Sequence, residues 1–117
     1  MIDDKKLKEI EEKIGKIPQI FKDLKDLSPD MYETLVELDN MIWADGALSR
    51  KVKKIIAIAI AAALRDTHAV REQTAGAKKL GVTDEEIEEG LRVAFLLAGM
   101  PSYMYGKIAV KDVMKKQ

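Results

Sequence analysis

The chain has 117 residues, with 20 Lys or Arg balanced by 20 Asp or Glu; this zero net charge argues against nucleic acid as the main partner, because phosphate binding needs a basic field. It has no cysteine, which excludes disulfides, thiolate nucleophiles and redox dithiols, and its one histidine leaves any metal site to carboxylates at no recognisable ligand spacing. A hydrophobic fraction of 47% fits one globular domain, residues 1–117, with a single core.

Helix signals run the length of the chain. Residues 4–14 put Leu7, Ile10 and Ile14 on one face, and Gly15 to Pro18 break that helix before a short second one carrying Ile20, Phe21 and Leu24. Ser28-Pro29-Asp30 reads as an N-cap with proline at the first helical position. The third helix then presents Leu35, Leu38 and Ile42 as its stripe and stops at Asp45-Gly46. Ser49 caps a fourth helix that runs to about Arg65, and a fifth spans roughly 67–80, with Gly81 as its left-handed cap. Thr83-Asp84-Glu85-Glu86 is a capping box opening a sixth helix to Leu97. Gly99-Met100-Pro101 stops it, and Tyr103 to Lys116 form the last.

The run IIAIAIAAAL, residues 55–64, is too short to span a bilayer, which takes about 20 residues. It reads as a helix buried on every side. A small domain covers such a helix poorly, and alanines at 57, 59 and 61–63 allow close helix approach, so a homo-oligomer is expected. The charged opening MIDDKKLKEIEEKIG has no secretory pattern, so the expected location is the cytoplasm, away from membranes.

GALSRKVKKIIAIAIAAAL, followed by a short helix ending in KKLGVTDEEIEEGLRVAFLLAGMPS, resembles the carboxymuconolactone decarboxylase family, which includes the alkylhydroperoxidase D-like proteins. The likeness extends to GKIPQIF near the start and is strongest from Gly46 to Ser102. It implies an all-α domain of six to seven helices around a central helix hairpin, assembling as homotrimers or homohexamers. In the peroxidase branch a glutamate, a Cys-x-x-Cys pair and a histidine four residues later do the chemistry. Those positions fall here on Lys54, Asp66, Ala69 and Gln73. A thiol peroxidase needs one thiolate to attack and a second to resolve, so that activity is excluded. The decarboxylase branch is closer: its histidine and arginine match His68 and Arg71, while its second histidine falls on Gln73, which carries no proton near neutral pH.

His68, Arg71 and Glu72 stand within one helical turn. As a catalytic trio, Glu72 would tune the imidazole of His68 as acid or base, and Arg71 would hold a carboxylate bidentately. Thr67, at the helix N-terminus, adds amide groups that favour an anion. Lys54 and Gln73 complete the expected substrate-binding set with Arg71, although Lys54, beside Lys51 and Lys53, is also what a solvent-facing surface provides. Trp43 and Tyr32 read as packing, as does the cluster Met100, Tyr103, Met104 and Tyr105. Two readings stand: a diverged non-catalytic or ligand-binding oligomer, and a cofactor-independent lyase or isomerase acting on a small carboxylated lactone or related organic acid. Neither calls for a cofactor or metal. The missing reactive residues of both branches favour the first.

Overall fold

Side-chain capping sets the starts of three helices. In the computed structural model, which describes residues 4–115, Ser49 accepts from the Val52 amide, Asp66 from the Ala69 amide and Thr83 from the Glu86 amide, the last closing a reciprocal capping box. The helices are α1 (Asp4–Ile14), α2 (Gln19–Leu27), α3 (Pro29–Trp43), α4 (Arg50–Ala63), α5 (Thr67–Lys79), α6 (Asp84–Ala98) and α7 (Met100–Lys115). No strand occurs among the described residues, so the fold is all-α as the sequence implies. No described helix is long and apolar enough to cross a membrane.

Two boundaries differ from the reading of the sequence. Ser28 precedes Pro29 as expected but makes no side-chain cap bond. Gly99, at φ +93°, ends α6 alone, and α7 starts at once with Pro101 in its first turn, where a missing amide hydrogen goes unused. At the end of α4, Arg65 takes the left-handed conformation usually left to glycine (φ 58°), and the Asp66 amide reaches back to the Ala61 carbonyl. The chain thus turns sharply from α4 into α5.

Buried side chains form two clusters instead of one core. Ile10 and Ile14 of α1, Ile17, Phe21, and Tyr32 and Val36 of α3 make the smaller cluster. The larger lies among α4 to α7 around Ile58, Val70, Ile87, Leu91 and Val110. The α3 stripe is also rotated from expectation. Tyr32 and Val36 are buried, whereas Leu38 is 46% and Ile42 52% exposed. At 100° per residue, positions 32, 36, 39 and 43 share one face, and 31, 35, 38 and 42 lie on a second roughly a quarter-turn away. Packing against α1 selects the first face, which carries the two aromatic residues. Helix α4 is likewise bare on one side: Ile58 and Ala62 are buried, but Ile56, Ile60 and Leu64 are exposed in the single chain.

The halves meet at a glycine–glycine contact. Gly15 (φ +83°) ends α1 directly against Gly76 of α5, and a Cβ placed on Gly76 would stand 2.1 Å from the Ile14 carbonyl oxygen. That distance is inside any permitted contact, and the obstacle is backbone, which cannot swing aside. Elsewhere, Glu88 of α6 ties α7 down by accepting from Tyr103 Oη (2.6 Å) and Lys107 Nζ (2.5 Å), while Arg92 holds it along α6 (3.0 Å). Burial would raise the Glu88 carboxyl, but these hydrogen bonds outweigh it and hold it at about 2. Gly76→Ala is expected to destabilise the protein by about 3 kcal/mol or more in urea unfolding, with Gly46→Ala, where nothing lies within 4 Å, changing it by under about 0.5 kcal/mol.

Candidate functional site

Helix α4 places Lys54 on the same face as Ile58 and Ala61, so its stem runs inward between the two clusters. Lys54 is 2% exposed. Its Nζ donates to Oε1 of Gln73 on α5 at 2.7 Å and stands 4.5 Å from the centroid of the Trp43 ring, in cation–π geometry. Gly76 makes room for it, since a Cβ there would lie 3.1 Å from Nζ. Among the described residues no carboxylate comes within ion-pair distance of this ammonium.

Burial sets the electrostatics of this group. It lowers Lys54 from 10.5 to about 8, partly opposed by the charge of Asp39. Asp39 accepts from Trp43 Nε1 at 3.0 Å. Burial raises its carboxyl, and the Trp43 hydrogen bond and the field of Lys54 act the other way. An amine and a carboxyl withdrawn from solvent together are thus drawn towards each other on the pH scale.

These groups line a chamber of about 90 Å³, closed by Ile14, Pro18 and Phe21 from the α1–α2 region. Beside it lies an outer recess of about 340 Å³ lined by Lys16, Arg71, Glu72, Lys79 and Asp112. Lys16 and Glu72 border both spaces and pair with each other at 3.0 Å, so their ion pair forms the partition. The outer recess sets three cations against two carboxylates, and Arg71 reaches Asp112 at 3.7 Å. A larger groove of about 510 Å³ runs between α6 and α7, but Glu88 within it is already engaged by Tyr103, Lys107 and Arg92. No group of three potential ligands among the described residues is arranged to hold a metal ion.

The structure divides the expected site residues. Gln73 and Lys54, separated by a helix–helix crossing, are brought into direct contact. Arg71 and Glu72 edge the outer recess, with Glu72 turned to Lys16. His68 is exposed and lines neither space. Tyr103 bonds Glu88 and packs edge-on to Phe95 at 5.6 Å, away from both.

Sequence reasoning missed Asp39, Trp43 and Lys16. Asp39 and Trp43 share the helical face of Tyr32 and Val36, and Lys54 stands four residues before buried Ile58. Those spacings were the available signal for three of the chamber's groups. Lys16, in a break between helices, offered none.

A sequence model of the carboxymuconolactone decarboxylase family matches residues 29–112. The match is narrower than the resemblance in the sequence, since GKIPQIF and the chamber residues Ile14, Lys16, Pro18 and Phe21 lie outside it. Two uncharacterised proteins of Methanocaldococcus jannaschii are similar: one is 40% identical over 68% of this chain and 78% of its own length, the other 30% identical over 76% and 83%. Uncharacterised protein 4 in the cox locus of Paracoccus denitrificans is 28% identical over 67% of this chain and 70% of its own.

The lowered Lys54 has a signed consequence for stability. Below pH 8 it is charged in the folded and unfolded states alike, and the burial penalty is fully present. From pH 8 to 10.5 the folded state releases its proton first, so stability rises with pH in that window. Lys54→Met should remove this increment, on the order of 3 kcal/mol, from the stability–pH profile measured by urea titration, and should leave the protein no less stable at pH 7.

Proposed function

The chain belongs to the carboxymuconolactone decarboxylase family, and we propose that it is a thiol-free, ligand-binding member that takes a small organic anion at the paired spaces beside Lys54. One observation carries this reading: an ammonium that is 2% exposed faces a chamber with no carboxylate at ion-pair distance among the described residues. A buried ammonium opposed only from beyond ion-pair distance, by Asp39, is costly, and a bound carboxylate would bring a closer counter-charge. The outer recess, with its excess of cations, draws the same class of ligand inward. The lyase or isomerase reading draws less support, because His68, its proton carrier, stands outside both spaces.

The proposal includes self-assembly as a homotrimer or homohexamer. Ile56, Ile60 and Leu64 of α4 are exposed, as are Leu96 and Leu97 of α6 and Met104 and Ile108 of α7. Apolar surface of that extent on one chain favours cover by further copies. Light scattering at micromolar concentration should return a mass three or six times that of the chain, and a monomer mass would refute the assembly.

Small mono- and dicarboxylates should raise the melting temperature by mass action. Arg71→Ala should weaken binding by roughly tenfold, as loss of a charged hydrogen-bonding group does. Lys54→Met should abolish the shift, and His68→Ala should leave it unchanged. No shift with any carboxylate at millimolar concentration would overturn the binding reading.

A further inference from the structure

We propose that Lys54 is a covalent amine site, forming a reversible imine with an α-oxo acid of two or three carbons admitted to the chamber. The inference rests on the anion-binding reading and goes beyond it: the ligand is assigned a reactive carbonyl next to its carboxylate. Four features of the chamber carry it.

First, the amine is held at one point, by Gln73 Oε1 at 2.7 Å and over the Trp43 ring at 4.5 Å, and is not consumed by an ion pair with any described carboxylate. A salt bridge would favour the protonated amine more strongly than the neutral Gln73 amide does. Second, Ile14, Pro18, Phe21 and Trp43 give the chamber apolar walls alongside its charged and amide groups. Imine formation expels water, and apolar walls beside the amine favour its loss. Third, the volume of about 90 Å³ is the space of about three water molecules, which limits the occupant to a very short chain. Fourth, three further ionisable groups line the chamber: Asp39 to move protons, and Lys16, paired with Glu72 at 3.0 Å at the partition, to turn to the carboxylate. Burial holds the Lys54 ammonium at about 8, among Asp39, Lys16 and Glu72 as its charged neighbours, so the neutral amine is more abundant here than on surface lysines.

The chemistry balances without an oxidant or reductant. The lone pair of the neutral Lys54 amine attacks the carbonyl carbon, and the C=O π pair moves onto oxygen. One proton passes from nitrogen to that oxygen, giving a carbinolamine. The nitrogen lone pair then expels the hydroxyl as water, with a proton supplied from the Asp39 carboxyl across the chamber, and the N–H proton returns to Asp39. The sum is amine plus oxo acid giving imine plus water. Asp39, which lines the chamber beyond ion-pair distance of Nζ, relays these protons through water and ends as it began.

The test uses the full-length protein with glyoxylate as probe and sodium cyanoborohydride as trap, read by peptide mass spectrometry. The expected result is one carboxymethyl group on Lys54, formed roughly tenfold faster than on any other lysine. Labelling spread evenly over surface lysines, or an unlabelled Lys54, overturns the proposal. Because the wild-type chain reports the position itself, the result does not depend on a variant folding. Oxalate, which presents carboxylates without an aldehyde, separates the two readings in a parallel thermal-shift measurement. A shift with oxalate and no trapping at Lys54 removes the imine and leaves anion binding, whereas neither signal removes both. Asp39→Asn should slow trapping several-fold while retaining the oxalate shift. Unchanged trapping in that variant overturns the assigned proton shuttle.

Discussion

The approach of Gly15 to Gly76 is the constraint on which the rest of this molecule depends. Helix α1 and the turn after it can lie against α5 only where neither backbone carries a Cβ, and both positions are glycine. That contact joins a three-helix cluster to a four-helix cluster. It also sets the height of the gap into which Lys54 extends, since Gly76 touches both the α1 end and the Lys54 side chain. Close helix approach is thus a condition for the chamber as much as for the fold.

Within that gap the protein keeps a combination that packing alone would remove. An apolar residue of similar volume would spare the desolvation of an ammonium, and a carboxylate partner would offset it. Lys54 has neither; it has a neutral amide and an aromatic face. Asp39 lines the same chamber but is engaged by the Trp43 indole, and it reaches Lys54 through its field alone. Such arrangements, with an amine pushed down and a carboxyl pushed up, concentrate where chemistry or binding is done. The Lys16–Glu72 pair, partly exposed, stands between the chamber and the outer recess.

The start of α5 is held by its own residues: Asp66 is an N-cap and satisfies the Ala69 amide. The crossing of α4 and α5 brings positions 54 and 73 together as lysine and glutamine, a contact between residues 19 apart in the chain.

Local sequence determined the helices themselves. Ser49, Asp66, Thr83 and Gly81 act within a few residues of their own positions, and the physics that makes them caps needs no tertiary partner. Periodicity was weaker where a helix carries two apolar faces: α3 presents both the 32–36–43 line and the 31–35–38–42 line, and nothing within the helix ranks them. The grouping of His68, Arg71 and Glu72 was sound as spacing, but spacing does not say which way each side chain finds a partner; Glu72 met Lys16, Arg71 met Asp112, and His68 stayed in solvent. The chamber was decided by tertiary structure alone. Its groups come from the α1–α2 break, α3, α4 and α5, and they meet only after two glycines let those elements close. A lysine's place in a sequence is equally compatible with water and with burial; here it is burial, with Nζ held by Gln73 and the Trp43 ring.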